Sequence, residues 1–352
     1  MLKYQIITFG CQMNKADSER IATTLEKKGY KPTKDSNKAN LVLINMCSVR
    51  QSAVDRVYGK INNLKKIKVK NPKLKTILTG CILKKDKRKF EKFFDEIWSN
   101  KNHFKEKAKC QNKSLAFVPI SNGCNNACTY CVVPYTRGAL NCRSHKEILK
   151  EAKSFIKKGL NPIRNAISNG AREIWLLGQN VNDYHSPTNK TINFARLLDL
   201  INDIPGNFRI LFTSPHPKNF SDELIESLDR CQKFGNYLNI PVQSGNDQIL
   251  KKMNRNYTAK EYRKLIEKIK KKIPKIKLST DIIVGFPGET KKQFQDTVKL
   301  FKEIKFNWAY ISKYSPRPGT AAFKLKDDIS LSEKKKRETI LREILKKAWK
   351  IN

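Results

Sequence analysis

Six of the nine cysteines fall into two sets of three, and those sets constrain this chain more than any other feature. Cys124, Cys128 and Cys131 lie in Gly-Cys-Asn-Asn-Ala-Cys-Thr-Tyr-Cys, a C-x3-C-x2-C run. Cys11, Cys47 and Cys81 are far apart in sequence, yet each closes or follows a short apolar segment of strand character: Tyr4 to Thr8, Leu41 to Ile44 and Thr76 to Thr79. Scattered cysteines are often buried core residues. Three of them at the carboxyl ends of strands instead share the edge at which open parallel sheets bind ligands. A structural zinc site takes four ligands. Soft thiolates in threes point to iron–sulfur clusters with one iron left open.

The chain has 352 residues, which fits two domains or one large α/β domain with a smaller one. Lys and Arg number 72 against 32 Asp and Glu, a formal charge of +40, so the surface attracts polyanions such as nucleic acid. Part of that lysine content reads as plain solvated surface. No run of about 18 apolar residues exists to span a membrane, and the N-terminus enters a strand pattern with no signal-peptide shape. Nine cysteines in such a chain suit a reducing compartment and metal binding rather than disulfides, so a cytoplasmic protein is expected.

Strand and helix patterns alternate along the chain, which predicts an α/β fold. The first third reads as a Rossmann-like parallel unit, with a helix bearing Ile21 and Leu25 stopped at Gly29 and another from about Val49. A polar, Lys-rich stretch from about Ser99 to Lys113 marks a boundary. Beyond Ala116, strands are expected at Glu173–Leu177, Arg209–Thr213, Tyr237–Ile240, Lys277–Val284 and Trp308–Lys313. Capping boxes at Ser144-x-x-Glu147, Thr258-x-x-Glu261 and Thr290-x-x-Gln293 open helices between them. Six or so such units predict a full or partial parallel barrel with its chemistry at the carboxyl mouth. The expected division is 1–113, 114–325 and a final helical segment, 326–352.

The C-x3-C-x2-C run with Tyr130 before its last cysteine resembles the signature of radical SAM enzymes. Gly10-Cys11-Gln12-Met13-Asn14, Cys47-Ser48-Val49-Arg50 and Thr79-Gly80-Cys81 are similar to the N-terminal domain of methylthiotransferases, in the forms of the MiaB type that acts on tRNA. Cys131-Val-Val-Pro-Tyr-Thr-Arg-Gly138, Leu177-Gly-Gln-Asn-Val-Asn182, Phe212-Thr-Ser-Pro-His-Pro217, Pro241-Val-Gln-Ser-Gly245, Met253-Asn-Arg255, Asp281 to Glu289 and Tyr314 to Gly319 extend the likeness over most of the chain. The resemblance implies a methylthiotransferase domain followed by a radical SAM partial (β/α) TIM barrel. It also implies a [4Fe–4S] cluster on Cys124, Cys128 and Cys131 that binds S-adenosylmethionine, and an auxiliary [4Fe–4S] cluster on Cys11, Cys47 and Cys81 that presents or supplies sulfur. The implied reaction adds a methylthio group to C2 of N6-isopentenyladenosine beside the anticodon of tRNA, through a deoxyadenosyl radical. The implied partners are tRNA, presented as an anticodon stem-loop, an electron donor such as flavodoxin or ferredoxin, and a sulfur donor. We expect a monomer.

Single side chains follow from the same motifs. Tyr130, Ile283 and Val284 are candidates to line the adenine of S-adenosylmethionine. Gln179, Asn180, Ser214, Gln243 and Arg255 stand at or after strand ends where its polar groups would lie, and Arg143 could pair its carboxylate. Cys110, Cys142 and Cys231 read as spare thiols and His216 as structural.

Three departures from the family pattern stand out. The family pattern continues past the last helix with a small basic TRAM domain, which is not expected in this chain. Leu140 and Cys142 replace an acidic residue and a serine. Leu160 to Gly170 reads as an insertion in one αβ connection. The alternatives are a catalytically silent iron–sulfur RNA-binding protein and a methylthiotransferase acting on threonylcarbamoyl-adenosine.

Overall fold

The structure is a computed structural model that describes residues 1–100, 108, 114–157 and 172–349. Most of the expected boundary stretch, Cys110, and the extra segment Leu160–Gly170 lie outside the described residues.

Five strands, β1 (Lys3–Phe9), β2 (Lys31–Pro32), β3 (Leu41–Cys47), β4 (Lys75–Cys81) and β5 (Glu96–Ile97), form one parallel sheet in the order β2-β1-β3-β4-β5. Three helices cover it: α1 (Gln12–Lys27), α2 (Gln51–Lys70) and α3 (Lys84–Phe90). All seven residues of β3 are buried because both faces are covered. Val42, Ile44 and Met46 meet Val54, Val57 and Ile61 of α2 and Phe90 of α3. Leu41 and Leu43 point the other way, onto Ile21, Ala22 and Leu25 of α1.

The second unit runs through β6 (Leu115–Pro119), a short antiparallel pair β7 (Ser121–Asn122) and β8 (Asn141–Cys142), β9 (Glu173–Leu177), a hairpin β10 (His185–Ser186) and β11 (Asn189–Asn193), β12 (Arg209–Phe212), β13 (Tyr237–Asn239), β14 (Lys277–Val284) and β15 (Trp308–Lys313). Its helices are α4 (Val133–Arg137), α5 (His145–Lys157), α6 (Phe194–Asn202), α7 (Asp222–Arg230), α8 (Asp247–Lys252), α9 (Ala259–Lys272), α10 (Lys291–Ile304) and α11 (Leu331–Trp349). Strands β6, β9 and β12 are parallel neighbours, as are β13, β14 and β15, and a parallel bridge between Ile210 and Phe234 joins the two sets. The result is a six-stranded partial barrel, open between β6 and β15. Thr258 and Thr290 form the capping boxes that start α9 and α10.

One face of the barrel sheet packs on helices: Ala116, Val118, Ile174 and Leu176 share a cluster with Ile148, Ala152 and Phe155 of α5. The opposite face of β6 and β9 is covered by the first domain, since Phe117 and Leu177 pack on Met13 and Ala16 of α1. Buried ions reinforce this contact. Arg20 of α1 pairs with Glu151 of α5 at 2.7 Å, and Arg137 of α4 pairs with Asp17 of α1 at 2.8 Å. Among the described residues, no helix is long and apolar enough to cross a membrane.

Candidate active site

The three N-terminal cysteines stand on three adjacent strands. Cys47 and Cys81 are the last residues of β3 and β4 and face each other in register, so the ladder runs through them instead of stopping before them. Cys11 follows β1 as the N-cap of α1. Asn14 accepts from the Cys11 N–H at 3.3 Å and from its thiol at 3.4 Å. Asn14 also donates to Asn45 Oδ1 at 2.8 Å and to the Met46 carbonyl at 3.2 Å, which ties the Cys11 turn to the end of β3. Both asparagines are wholly buried. Gly10 leaves room for Asn14, whose Cγ would lie 2.4 Å from an added Cβ.

These thiols interact. Cys47 and Cys81 share a hydrogen bond that lowers the Cys81 pKa and raises that of Cys47, and Arg137 adds to the lowering at Cys81. Cys11 is exposed as a residue, yet loss of solvation at its sulfur raises its pKa, and the charge of Cys81 raises it further.

The second triad lies in the loop between β7 and α4. Gly123 has φ +85°, and a Cβ there would stand 2.1 Å from the Ala139 carbonyl, so only glycine permits this turn. Its N–H donates to Gln179 Oε1 at 2.6 Å. The N–H groups of Asn126 and Val133 point at Cys124 and Cys131 sulfur at 3.4 and 3.5 Å, and Arg255 Nη1 reaches Cys128 sulfur at 3.5 Å. Burial pushes the Cys131 thiol up to about 12, with Cys128 and Cys124 adding to it, and burial raises Cys124 as well.

Three such thiolates together need a compensating cation, and N–H groups aimed at sulfur are the usual surroundings of an iron–sulfur cluster. Among the described residues, no three His, Cys, Asp or Glu side chains converge on a single-ion position. What fits an iron–sulfur cluster is the chemistry of the donors, three soft thiols in each set with N–H groups or a guanidinium aimed at sulfur.

The other candidates divide. Asn180 is buried, and neither amide atom of its side chain has a hydrogen-bond partner among the described residues, which leaves it available to a polar ligand at the barrel mouth. Ser214 and Gln243 follow β12 and β13 with φ of +58° and +71°, strained backbone of the kind that gathers at functional sites. Tyr130 and Ile283 pack with Met253 and Phe286 beside the second triad. Val284 sits apart from its neighbour. Successive strand residues face opposite ways, and Val284 belongs to the main barrel core while Ile283 packs with Met253 and Phe286. Arg143 is engaged by the Glu151 carboxylate and the Pro119 carbonyl. His216 is buried and neutral; burial lowers its pKa to about 3, and its Nδ1 accepts from the Lys218 N–H. Leu140 donates its N–H to Asn125 Oδ1 at 2.9 Å.

Sequence reasoning passed over three groups. Arg137 donates to Cys81 sulfur at 3.0 Å; its motif was visible, but not its reach into another domain. Asp281, held by Asn239 at 2.8 Å, has its pKa raised by burial and feels the charges of Arg50 and Arg255. Arg317 donates to Gln51 across the interface at 2.8 Å.

Comparison with known proteins fits this arrangement. Residues 3–99 match the Uncharacterized protein family UPF0004 and residues 118–301 match the Radical SAM superfamily. The tRNA-2-methylthio-N(6)-dimethylallyladenosine synthase of Clostridium tetani is 38% identical over 99% of this chain and 82% of its own length. The chain belongs to that family, within the radical SAM superfamily. The synthase of Clostridium botulinum strain Hall is 40% identical over 97% of the chain and 81% of its own length, and that of Alkaliphilus oremlandii 40% over 95% and 76%. Among solved structures, the radical S-adenosylmethionine methyltransferase TsrM from Kitasatospora setae superposes with a TM-score of 0.63 at 12% identity, covering 92% of this chain and 75% of its own. That likeness is one of overall fold.

Proposed function

We propose that this chain is a radical SAM methylthiotransferase that adds a methylthio group to C2 of N6-isopentenyladenosine beside the anticodon of tRNA. It works with S-adenosylmethionine and two [4Fe–4S] clusters. What supports the reading is that each domain carries its own thiol triad, and that Arg137, on the helix that follows Cys131, is hydrogen-bonded across the interface to Cys81. An aromatic C–H has no acidic proton for a side chain to remove. The bound clusters and S-adenosylmethionine supply the one-electron chemistry such a bond requires.

The chain's own residues orient and enclose. Cys124, Cys128 and Cys131 would hold one cluster, with Arg255 against Cys128. Cys11, Cys47 and Cys81 would hold the other, kept together by the Asn14–Asn45 hydrogen bond. Asn180, Ser214 and Gln243 would meet the polar groups of S-adenosylmethionine, and Tyr130 with Ile283 its adenine. The tRNA base must leave its stack to reach this interface.

Anaerobically reconstituted protein should carry about eight irons per chain. Replacing Cys124, Cys128 and Cys131 by Ala should leave about four and end deoxyadenosine formation. Cys47→Ala should keep deoxyadenosine formation and lose methylthiolation of an isopentenylated anticodon stem-loop, read by nucleoside mass spectrometry. A folded wild-type protein that makes no deoxyadenosine would be a silent RNA-binding protein and would end this reading. A product on threonylcarbamoyl-adenosine in its place would move the substrate.

A further inference from the structure

Arg137 belongs to the barrel but is spent on the other domain. It closes α4, directly after the second triad, and is 3% exposed. Nε donates to Cys81 sulfur at 3.0 Å, Nη1 to Asn122 Oδ1 at 2.9 Å and Nη2 to Asp17 Oδ2 at 2.8 Å. Asp17 is 2% exposed and lies on α1, which Cys11 caps. The first triad is therefore in contact with a buried cation from one domain, and that cation is balanced by a buried anion from its own. The second triad is built differently. Arg255 meets Cys128 at 3.5 Å, its other hydrogen bonds go to Tyr257 Oη and the Pro241 carbonyl, and it makes no ion pair among the described residues.

We propose that Arg137 is a positioning residue that sets the reduction potential of the auxiliary centre from the neighbouring domain, with Asp17 as its counterweight. Reduction adds negative charge to a cluster and its thiolates. A guanidinium that donates to a ligand sulfur stabilises that charge and raises the potential, and a nearby carboxylate opposes it. The effect is strong because all three groups are removed from water. Because the cation is fixed just after Cys131 and the anion just after Cys11, any movement of one domain against the other alters the potential. Electron uptake at the auxiliary centre is thereby tied to docking of the two domains.

The proposal rests on Cys11, Cys47 and Cys81 holding a cluster, and the test separates the two claims. The full chain carrying Cys124, Cys128 and Cys131→Ala is reconstituted, so that only the first triad is loaded, and its midpoint potential is followed by paramagnetic resonance during reductive titration. In that background Arg137→Gln should lower the potential, Asp17→Asn should raise it, and Arg137→Lys should fall between Gln and wild type. Shifts of both in one direction, or no shift in either, would overturn the role of Arg137. If Arg137→Gln fails to fold, the opposite displacements expected of Arg137→Lys and Asp17→Asn decide the matter. A parent protein that binds no iron at this triad would sink the cluster assignment itself.

Discussion

Gly80 shows how narrowly a single residue can be constrained here. It sits at φ +113° immediately before Cys81, and a Cβ would lie 2.1 Å from the Met46 carbonyl oxygen. That carbonyl also accepts from Asn14, so it cannot retreat without loosening the Cys11 turn. Gly80→Ala should cost about 1–3 kcal/mol from the backbone conformation alone, with the clash added. Chemical denaturation measures that loss. Reconstituted Gly80→Ala should carry about four irons in place of about eight, because Cys81 is displaced while the other triad is untouched. Full iron loading would show that the strand end adapts.

At the scale of elements, α11 braces the loop that leaves β14. Glu289 is 3% exposed; it accepts the Gly285 N–H at 2.7 Å and Arg337 Nη1 at 2.8 Å. Lys334 lies under Gly285, 2.4 Å from where a Cβ would stand, and its ammonium sits over the Tyr314 ring. The loop turns away from the strand that carries Ile283, so its shape reaches the adenine candidates. Burial raises the Glu289 pKa even with Arg337 beside it. Removing one partner of such a pair leaves a buried charge uncompensated, so Arg337→Ala should cost about 3–5 kcal/mol. S-adenosylmethionine affinity should fall in the folded variant, as isothermal titration would record, while iron content stays unchanged. Unaltered affinity would make α11 a purely structural strap.

For the whole molecule, the relevant quantity is the +40 formal charge. Lysines act as point charges on phosphates and release counterions. Binding of an anticodon stem-loop should therefore weaken by orders of magnitude between low and moderate salt. Anisotropy titrations at several salt concentrations test this. A flat response would mean that the lysines only keep the protein soluble. Substrate choice would then rest on the domain interface, where the adenine must be unstacked.

The sequence by itself determined the α/β class and the positions of the longer parallel strands, missing the short strands such as β2, β5, β10 and β11, and it singled out the two cysteine sets. Glu173–Leu177, Lys277–Val284 and Trp308–Lys313 form strands at the expected bounds because their β-branched and aromatic residues are bounded by clear turns. The cysteine spacing was readable because a cluster needs ligands of one chemical kind. Tertiary structure decided the rest. Cys11, Cys47 and Cys81 come together because β1, β3 and β4 are adjacent in the sheet, an order no local pattern encodes. Val284 and Ile283 fall in different clusters because strand side chains alternate between the two faces of a sheet. Arg143 and Arg137 took partners from elsewhere in the fold, Glu151 and Asp17, because a buried guanidinium must be paired by whatever charge the packing brings to it.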